Sequence, residues 1–292
     1  MKKTRILILG GATGLLGQAL SMVARANGYD VIRVGRKDFN PLEEKTLADF
    51  IDKHEPDIIC NTIGYTQVDK AEEETQAAVL LNERFPASLG RILRERPSVQ
   101  LVHFSTDYVF NGHKKAAYTE TDEPNPLNVY GRSKLAGETA LLALQLKKLC
   151  IIRTAWLFGP GKRNFVTAIL DLCRQNKPLN VVHDQTGSPT YTPDLALYTL
   201  KLLETGATGI FHIANSGQSS WCELASETIR LAMLECPIVP ILSKDYPQKA
   251  TRPAFSALDN GLFSKTCDFI PRSWIQALAD YVYAITDQQS VD

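Results

Sequence analysis

Thr4 to Gly17 reads T-R-I-L-I-L-G-G-A-T-G-L-L-G. An unbroken apolar run that stops at glycine is the pattern of a strand buried on both faces, and the text from Leu15 to Asn27 predicts a helix. Strand, glycine loop and helix in that order describe a dinucleotide site. Glycines let the backbone approach a pyrophosphate, which rests on the helix N-terminus, where free N–H groups and the helix dipole favour negative charge. The spacing is G-x-x-G-x-x-G, over Gly11, Gly14 and Gly17. The candidate contacts are Gly11, Thr13, Gly14, Leu15, Leu16 and Gly17.

Working outward, Tyr29–Val34 is the second strand, followed by Gly35-Arg36-Lys37-Asp38-Phe39. Arg36 and Lys37 suit a 2′-phosphate and favour NADPH, whereas Asp38 stands where an acid would hold a ribose hydroxyl and keeps NADH open. Arg36, Lys37, Asp38 and Phe39 are the candidates for the adenosine end. A helix over 41–54 carries Leu47, Phe50 and Ile51 at helical spacing. The third strand, Asp57–Asn61, runs into Thr62-Ile63-Gly64-Tyr65, where small residues such as Thr62 and Gly64 suit a chain passing under a cofactor. Asn61, Gly64 and Tyr65 are candidates there. The next helix, over 75–94, carries Asn82.

Leu101–Phe104 then delivers Ser105-Thr106-Asp107, and P-L-N-V-Y-G-R-S-K-L-A-G-E follows over 126–138. Tyr130 and Lys134 are four apart on a helix and so share a face. A carbonyl that receives a hydride becomes an alkoxide and needs a proton. A tyrosine can supply it, a neighbouring lysine would lower the phenol's pKa from its usual value near ~10, and the Thr106 hydroxyl can steady the developing oxyanion. Thr106, Tyr130 and Lys134 are the candidate catalytic residues, the last two also touching cofactor.

A strand over 150–157 follows. Beyond Lys162 the grammar loosens into a helix over 165–175, a strand over 179–182 and the polar loop His183–Thr190. Asp194 is expected to cap a helix that ends at Leu203. Gly209–Ala214 is expected to return to the main sheet, and a last helix spans 273–285. The fold class is therefore α/β, a doubly wound parallel sheet with a smaller C-terminal substrate-binding part. Residues 1–160, joined by about 186–220, form the dinucleotide-binding domain, and 161–292 form mainly the interleaved substrate-binding domain.

The formal net charge of the 292 residues is zero, which removes any bulk electrostatic case for nucleic acid or membrane. The opening apolar run is too short for a signal peptide, and no run approaches the ~18 residues of a membrane span. The six cysteines, at 60, 150, 173, 222, 236 and 267, have no C-x-x-C or metal spacing and read as reduced thiols of a cytoplasmic protein.

G-G-A-T-G-L-L-G, Y-T-Q-V-D-K-A-E, H-F-S-T-D-Y-V-F-N-G, N-V-Y-G-R-S-K-L-A-G-E, R-T-A-W-L-F-G, D-Q-T-G-S-P-T and T-R-P stand in that order. The order resembles the extended short-chain dehydrogenase/reductases and, more closely, the dTDP-4-dehydrorhamnose reductase family, over nearly the whole chain. The resemblance implies hydride transfer from NADPH, or NADH, to the C4 keto group of a dTDP-4-keto-6-deoxy sugar. It also implies Tyr130 as proton donor, Lys134 on the nicotinamide ribose, and Thr106 on the substrate oxygen. Asp107, Trp156, Asn164, Gln185 and Arg252 would meet the dTDP-sugar substrate, an arginine suiting diphosphate through its bidentate fork.

Two departures stand out. Thr62-Ile63-Gly64 replaces the usual run of alanines, and Gln18-Ala19 replaces the glutamate with which some members bind a metal at a dimer contact. No metal is expected, and a monomer or weak homodimer is. Three other readings share the motifs. A 4,6-dehydratase would need a glutamate after Asp107, where Tyr108 stands. An epimerase would retain its cofactor. A non-catalytic NADP-binding regulator, like the regulatory subunit of methionine adenosyltransferase, would not need Tyr130, Lys134 and Thr106 together.

Overall fold

A computed structural model describes residues 3–35, 37–38, 40, 43–175 and 178–287, so the candidate contacts Arg36 and Phe39 lie outside the described residues. The first half alternates strand and helix. β1 (Arg5–Leu9), α1 (Leu15–Ala26), β2 (Asp30–Val34), α2 (Glu44–His54) and β3 (Ile58–Asn61) lead to the short α3 (Val68–Ala71). Next come α4 (Thr75–Val79), α5 (Phe85–Arg94), β4 (Gln100–Thr106), α6 (Val129–Ala143) and β5 (Leu149–Thr154). Along β1 the side chains alternate between two cores. Ile6 and Ile8 join Leu20, Val102, Phe104 and Tyr198 on one face, while Leu7 and Leu9 join Leu47, Ile59, Phe85 and Leu101 on the other. A strand covered on both faces has no reason to alternate polar and apolar residues, and each fully buried Leu or Ile contributes about 1.5–3 kcal/mol.

The helix expected over 75–94 is broken by a π-helical turn, Leu80–Arg84. Pro86 explains it. Proline has no N–H to give the Asn82 carbonyl four residues back, and its ring crowds that carbonyl. The turn widens, as π-bulges do, and Asn82 ends fully buried. Its carbonyl faces α6 at Gly137, where a Cβ would come within 2.0 Å of it.

The second half contains β6 (Leu157–Phe158), α7 (Phe165–Cys173), β7 (Leu179–Val182), β8 (Thr186–Gly187), β9 (Thr190–Tyr191) and α8 (Thr192–Glu204). β10 (Gly209–His212), β11 (Ser219–Ser220), α9 (Trp221–Leu231), β12 (Ile238–Ile241), α10 (Gly261–Cys267) and α11 (Trp274–Asp287) complete it. Two expectations change here, and one strand is added. The strand over 150–157 stops at Thr154, because Trp156 takes a left-handed backbone with φ 46°, and β6 pairs instead with β9. Asp194 does not cap α8, whose N-cap is Tyr191; its carboxylate holds Arg272 at 2.7 and 2.9 Å and Asn215 at 2.7 Å. β12, a partly exposed strand interrupted by Pro240, carries no alternation that would announce it, yet it pairs with β7 along its whole length.

β10 does return to the main sheet, beside β5. The sheet order is β10-β5-β4-β3-β1-β2, with every pairing parallel. The chain reverses direction across the sheet between β1 and β3, and a crevice opens at the carboxyl ends of the strands at such a switch point. The loops after β1 and β3 flank it and are tied together, Thr62 donating its backbone N–H and its hydroxyl to the Leu9 carbonyl at 3.0 and 2.7 Å. Among the described residues no helix is long and apolar enough to cross a membrane.

Candidate active site

The glycine loop is built for close approach. Gly10 has φ 87°, which an L side chain would resist. A Cβ at Gly17 would lie 2.5 Å from the Gly10 carbonyl oxygen, and one at Gly14 would lie 2.9 Å from the same atom. α1 therefore starts hard against the loop. Its N-cap, Gly14, supplies no capping side chain and its first turn holds no acid, so the N-terminal N–H groups are left for a ligand. Gly11 and Leu16 are buried, and Thr13 is exposed at the rim. Beside the loop, Asp38 spends a carboxylate oxygen on the Gly35 N–H at 2.7 Å, while Lys37 is exposed. A loop that excludes Cβ atoms, facing an uncapped helix N-terminus at the switch point, fits the diphosphate of a dinucleotide.

Under the second loop, Asn61 is buried and turns inward. Its Oδ1 accepts the Ile63 N–H at 3.1 Å, which leaves its Nδ2 to donate to His103 Nδ1 at 3.1 Å. Asn82, noted in the sequence without a role, is the clamp of this region. Its Oδ1 accepts the Tyr65 N–H at 2.8 Å, and its Nδ2 reaches the Tyr65 carbonyl at 3.0 Å and the Ser133 hydroxyl at 2.9 Å. One buried amide thus fastens the Gly64–Tyr65 segment to α6. A Cβ on Gly64 would sit 3.1 Å from Asn82 Oδ1 and 3.9 Å from Lys134 Nζ. The signal that could have found Asn82 was the proline four residues after it.

α6 is capped by Asn128, whose Oδ1 accepts the Gly131 N–H at 2.7 Å. Gly131 lets the helix touch the turn after β4, since a Cβ there would lie 2.1 Å from the Tyr108 carbonyl. This contact brings Tyr130 close to Thr106, the last residue of β4, whose nearness favours the phenolate form of Tyr130. Burial outweighs it and pushes the phenol up to about 12. Part of the ring is open to solvent, but protein crowds the phenol closely enough for the cost of burying its charge to dominate. Lys134, expected to lower that pKa, stands one turn further along α6. Its buried ammonium donates to the Phe104 carbonyl at 2.5 Å, and burial brings it down to about 8 against the favourable charge of Glu138. Tyr130 is thus held protonated, as a proton donor, across ordinary pH.

Asp107 lies directly behind Thr106 and is 2% exposed. Thr106 Oγ1 donates to its Oδ1 at 3.0 Å, and Ser256 Oγ donates to its Oδ2 at 2.5 Å.

The remaining sequence-predicted substrate residues are placed unevenly. The Trp156 ring stacks on Trp221 with centroids 3.6 Å apart, and Trp221 Nε1 donates to Gln185 Oε1 at 3.2 Å. Gln185 also donates to Ser243 Oγ at 2.9 Å. These three form one aromatic–amide platform. Asn164 instead caps α7 in a reciprocal capping box and donates to the Gly159 carbonyl and the Tyr281 hydroxyl, so its amide is fully occupied. Arg252 grips Asp69 through both terminal nitrogens at 3.0 and 2.8 Å. That guanidinium holds Asp69 down to about 2 and ties the T-R-P loop to α3. Ala19 is buried in α1, Gln18 contacts the Gly161 carbonyl at 3.5 Å, and among the described residues no three His, Cys, Asp or Glu are grouped to hold a metal.

A family model described as the RmlD substrate binding domain matches residues 4–286. The chain is 38% identical to the spore coat polysaccharide biosynthesis protein SpsK of Bacillus subtilis over 96% of this chain and 97% of that one. It is 37% identical to the dTDP-4-dehydrorhamnose reductase of Aggregatibacter actinomycetemcomitans over 93% and 96% of the two chains. The crystal structure of dTDP-4-dehydrorhamnose reductase from Bacillus anthracis in complex with NADP superposes with a TM-score of 0.93 at 31% identity, covering 97% of this chain and 100% of that one.

Proposed function

The chain belongs to the RmlD substrate-binding-domain family, and on that premise we propose that it reduces the C4 keto group of dTDP-4-dehydro-6-deoxy-L-mannose to give dTDP-L-rhamnose, with NADPH as reductant. The observation that supports the reading is Tyr130 close to Thr106, with Lys134 on the Phe104 carbonyl two residues before it, in a fold whose first helix starts uncapped behind a glycine loop. Bound NADPH supplies the hydride. Gly11, Thr13, Gly14, Leu15, Leu16 and Gly17 hold its diphosphate, and Arg36, Lys37, Asp38 and Phe39 meet the adenosine end. Asn61, Gly64 and Tyr65 form the floor under it, held by Asn82.

Tyr130 gives its proton to the oxygen at C4 as negative charge develops there. A phenol kept protonated by burial retains that proton until the alkoxide, a stronger base, takes it. Thr106 donates a hydrogen bond to the same oxygen, which strengthens as charge grows. Lys134 holds the nicotinamide ribose. The Trp156–Trp221–Gln185 platform and Arg252 receive the sugar nucleotide, Arg252 with its positive charge held in place by Asp69. Asn164 serves this side by fixing the start of α7. Residues 1–160 with 186–220 form the cofactor half of the molecule, and 161–292 supply most of the sugar-nucleotide half.

NADPH oxidation followed by absorbance, with dTDP-4-keto-6-deoxy-glucose in the presence and absence of a 3,5-epimerase, tests the reading. Oxidation that requires the epimerase is expected. Oxidation without it would assign a different keto sugar, the class named for the Streptomyces niveus relative, a dTDP-4-keto-6-deoxy-D-glucose reductase. NADPH binding without any oxidation would overturn the enzyme reading.

A further inference from the structure

The Thr106 hydroxyl has one proton and two claims on it. In the structure it donates to Asp107 Oδ1 at 3.0 Å while its oxygen accepts the Tyr108 N–H at 3.2 Å. In the reaction proposed above, that same proton must point at the keto oxygen. If it turns there, Asp107 loses a donor in a site where it is 2% exposed, and a buried carboxylate stripped of a hydrogen bond is costly. The bond survives only by reversing, with Asp107 carrying the proton and Thr106 oxygen accepting it.

We propose that Asp107 is a positioning residue which, in its neutral carboxylic acid form, donates to Thr106 and so frees the Thr106 proton for the keto oxygen, and that Ser256 holds it in place. This inference rests on the reductase reading. Ser256 makes the chain long-range: it lies 149 residues from Asp107 and donates to Oδ2 at 2.5 Å. The same strap segment is stitched to the D-Q-T-G-S-P loop, with Ser256 N–H to the Thr186 carbonyl at 2.8 Å and Leu258 N–H to Ser188 Oγ at 3.1 Å. Seating that loop around a sugar nucleotide therefore aligns Thr106 through Asp107.

The surroundings favour the neutral acid. The titratable groups facing Asp107 are the phenols of Tyr108 and Tyr130, both pushed upward, chiefly by burial. Of the nearby cations, Arg252 grips Asp69 and reaches the Tyr108 phenol, and Lys134 donates to the Phe104 carbonyl. Burial raises the Asp107 carboxyl to about 7, against the hydrogen bonds from Ser256 and Thr106. A chain of polarised donors ending on an oxyanion strengthens along its length. Asp107 keeps its proton throughout, and the proton consumed in each turnover comes from Tyr130.

The test is the pH profile of turnover, from about pH 5 to about pH 9, for wild type, Asp107→Asn, Asp107→Ala and Ser256→Ala, with NADPH affinity measured alongside to verify folding. Wild-type kcat should fall about tenfold per pH unit above a near-neutral limb. Asp107→Asn, whose amide always donates, should lose that limb and stay within about tenfold of the acid plateau. Asp107→Ala should lose about 10²-fold at every pH, the scale of losing an oriented donor at an oxyanion. Ser256→Ala removes a donor to the carboxylate and should move the limb to higher pH. A limb unchanged in Asp107→Asn, or Asp107→Asn as inactive as Asp107→Ala while both bind NADPH, overturns the inference and leaves the reductase reading standing. Absence of wild-type turnover at any pH overturns both.

Discussion

Replacing Glu138 by glutamine should unfold this protein well below its normal melting temperature. Glu138 and Arg153 form an ion pair whose side chains are 1% and 2% exposed, with Arg153 Nη2 2.6 Å and Nε 3.1 and 3.2 Å from the carboxylate. The guanidinium also lies over the Phe110 ring at 5.3 Å, so it cannot swing into water when its partner is neutralised. Breaking a buried pair from one side costs about 3–5 kcal/mol, because the remaining charge is left without compensation. For a chain of this size each kcal/mol moves Tm by roughly 2–4 °C, so the expected drop is about 6–20 °C. The double change Glu138→Leu with Arg153→Met should recover most of it, since removing both charges also removes the desolvation cost of both. Glu138 stands one turn beyond Lys134 and supports its charge, so the single variant should also lower the pH at which Lys134 loses its proton. Thermal unfolding followed by circular dichroism, on Glu138→Gln and on the double variant, measures the effect. A Glu138→Gln loss below about 1 kcal/mol, or a double variant as unstable as the single, would refute the burial argument.

Tyr130→Phe should lower kcat by about 10²–10⁴-fold while NADPH affinity, read by fluorescence, changes little; activity near the wild-type level would remove Tyr130 as the acid. Gly137→Ala puts a Cβ 2.0 Å from the Asn82 carbonyl, so α6 must shift away from the π turn, and both stability (by about 1–3 kcal/mol) and cofactor affinity should fall. Titration calorimetry with unchanged NADPH binding would show that the clamp does not reach the cofactor. Arg252→Lys keeps the charge but loses the fork on Asp69, and KM for the dTDP-sugar should rise about tenfold or more with a smaller change in kcat. A fall confined to kcat would take Arg252 out of substrate binding.

Features that depend on near neighbours in the chain can be read before it folds. The apolar run ending at Gly10, the glycine spacing over Gly11, Gly14 and Gly17, and the four-residue step from Tyr130 to Lys134 are local, and strand, loop and helix geometry follow from them. Hence the parallel sheet, its return strand at Gly209 and the seating of Tyr130 and Lys134 one turn apart on a helix were legible in advance. The tertiary structure alone decided which distant groups compensate one another. Arg252 meets Asp69 across 183 positions, and Ser256 meets Asp107 across 149. The turn at Trp156, the clamp at Asn82 and the raised phenol of Tyr130 belong to the same class. Each is set by close packing and exclusion of water, which penalise an unpaired polar group or a buried charge wherever in the chain its partner lies. No local pattern encodes that, because the penalty appears only once the two ends of the chain have folded onto each other.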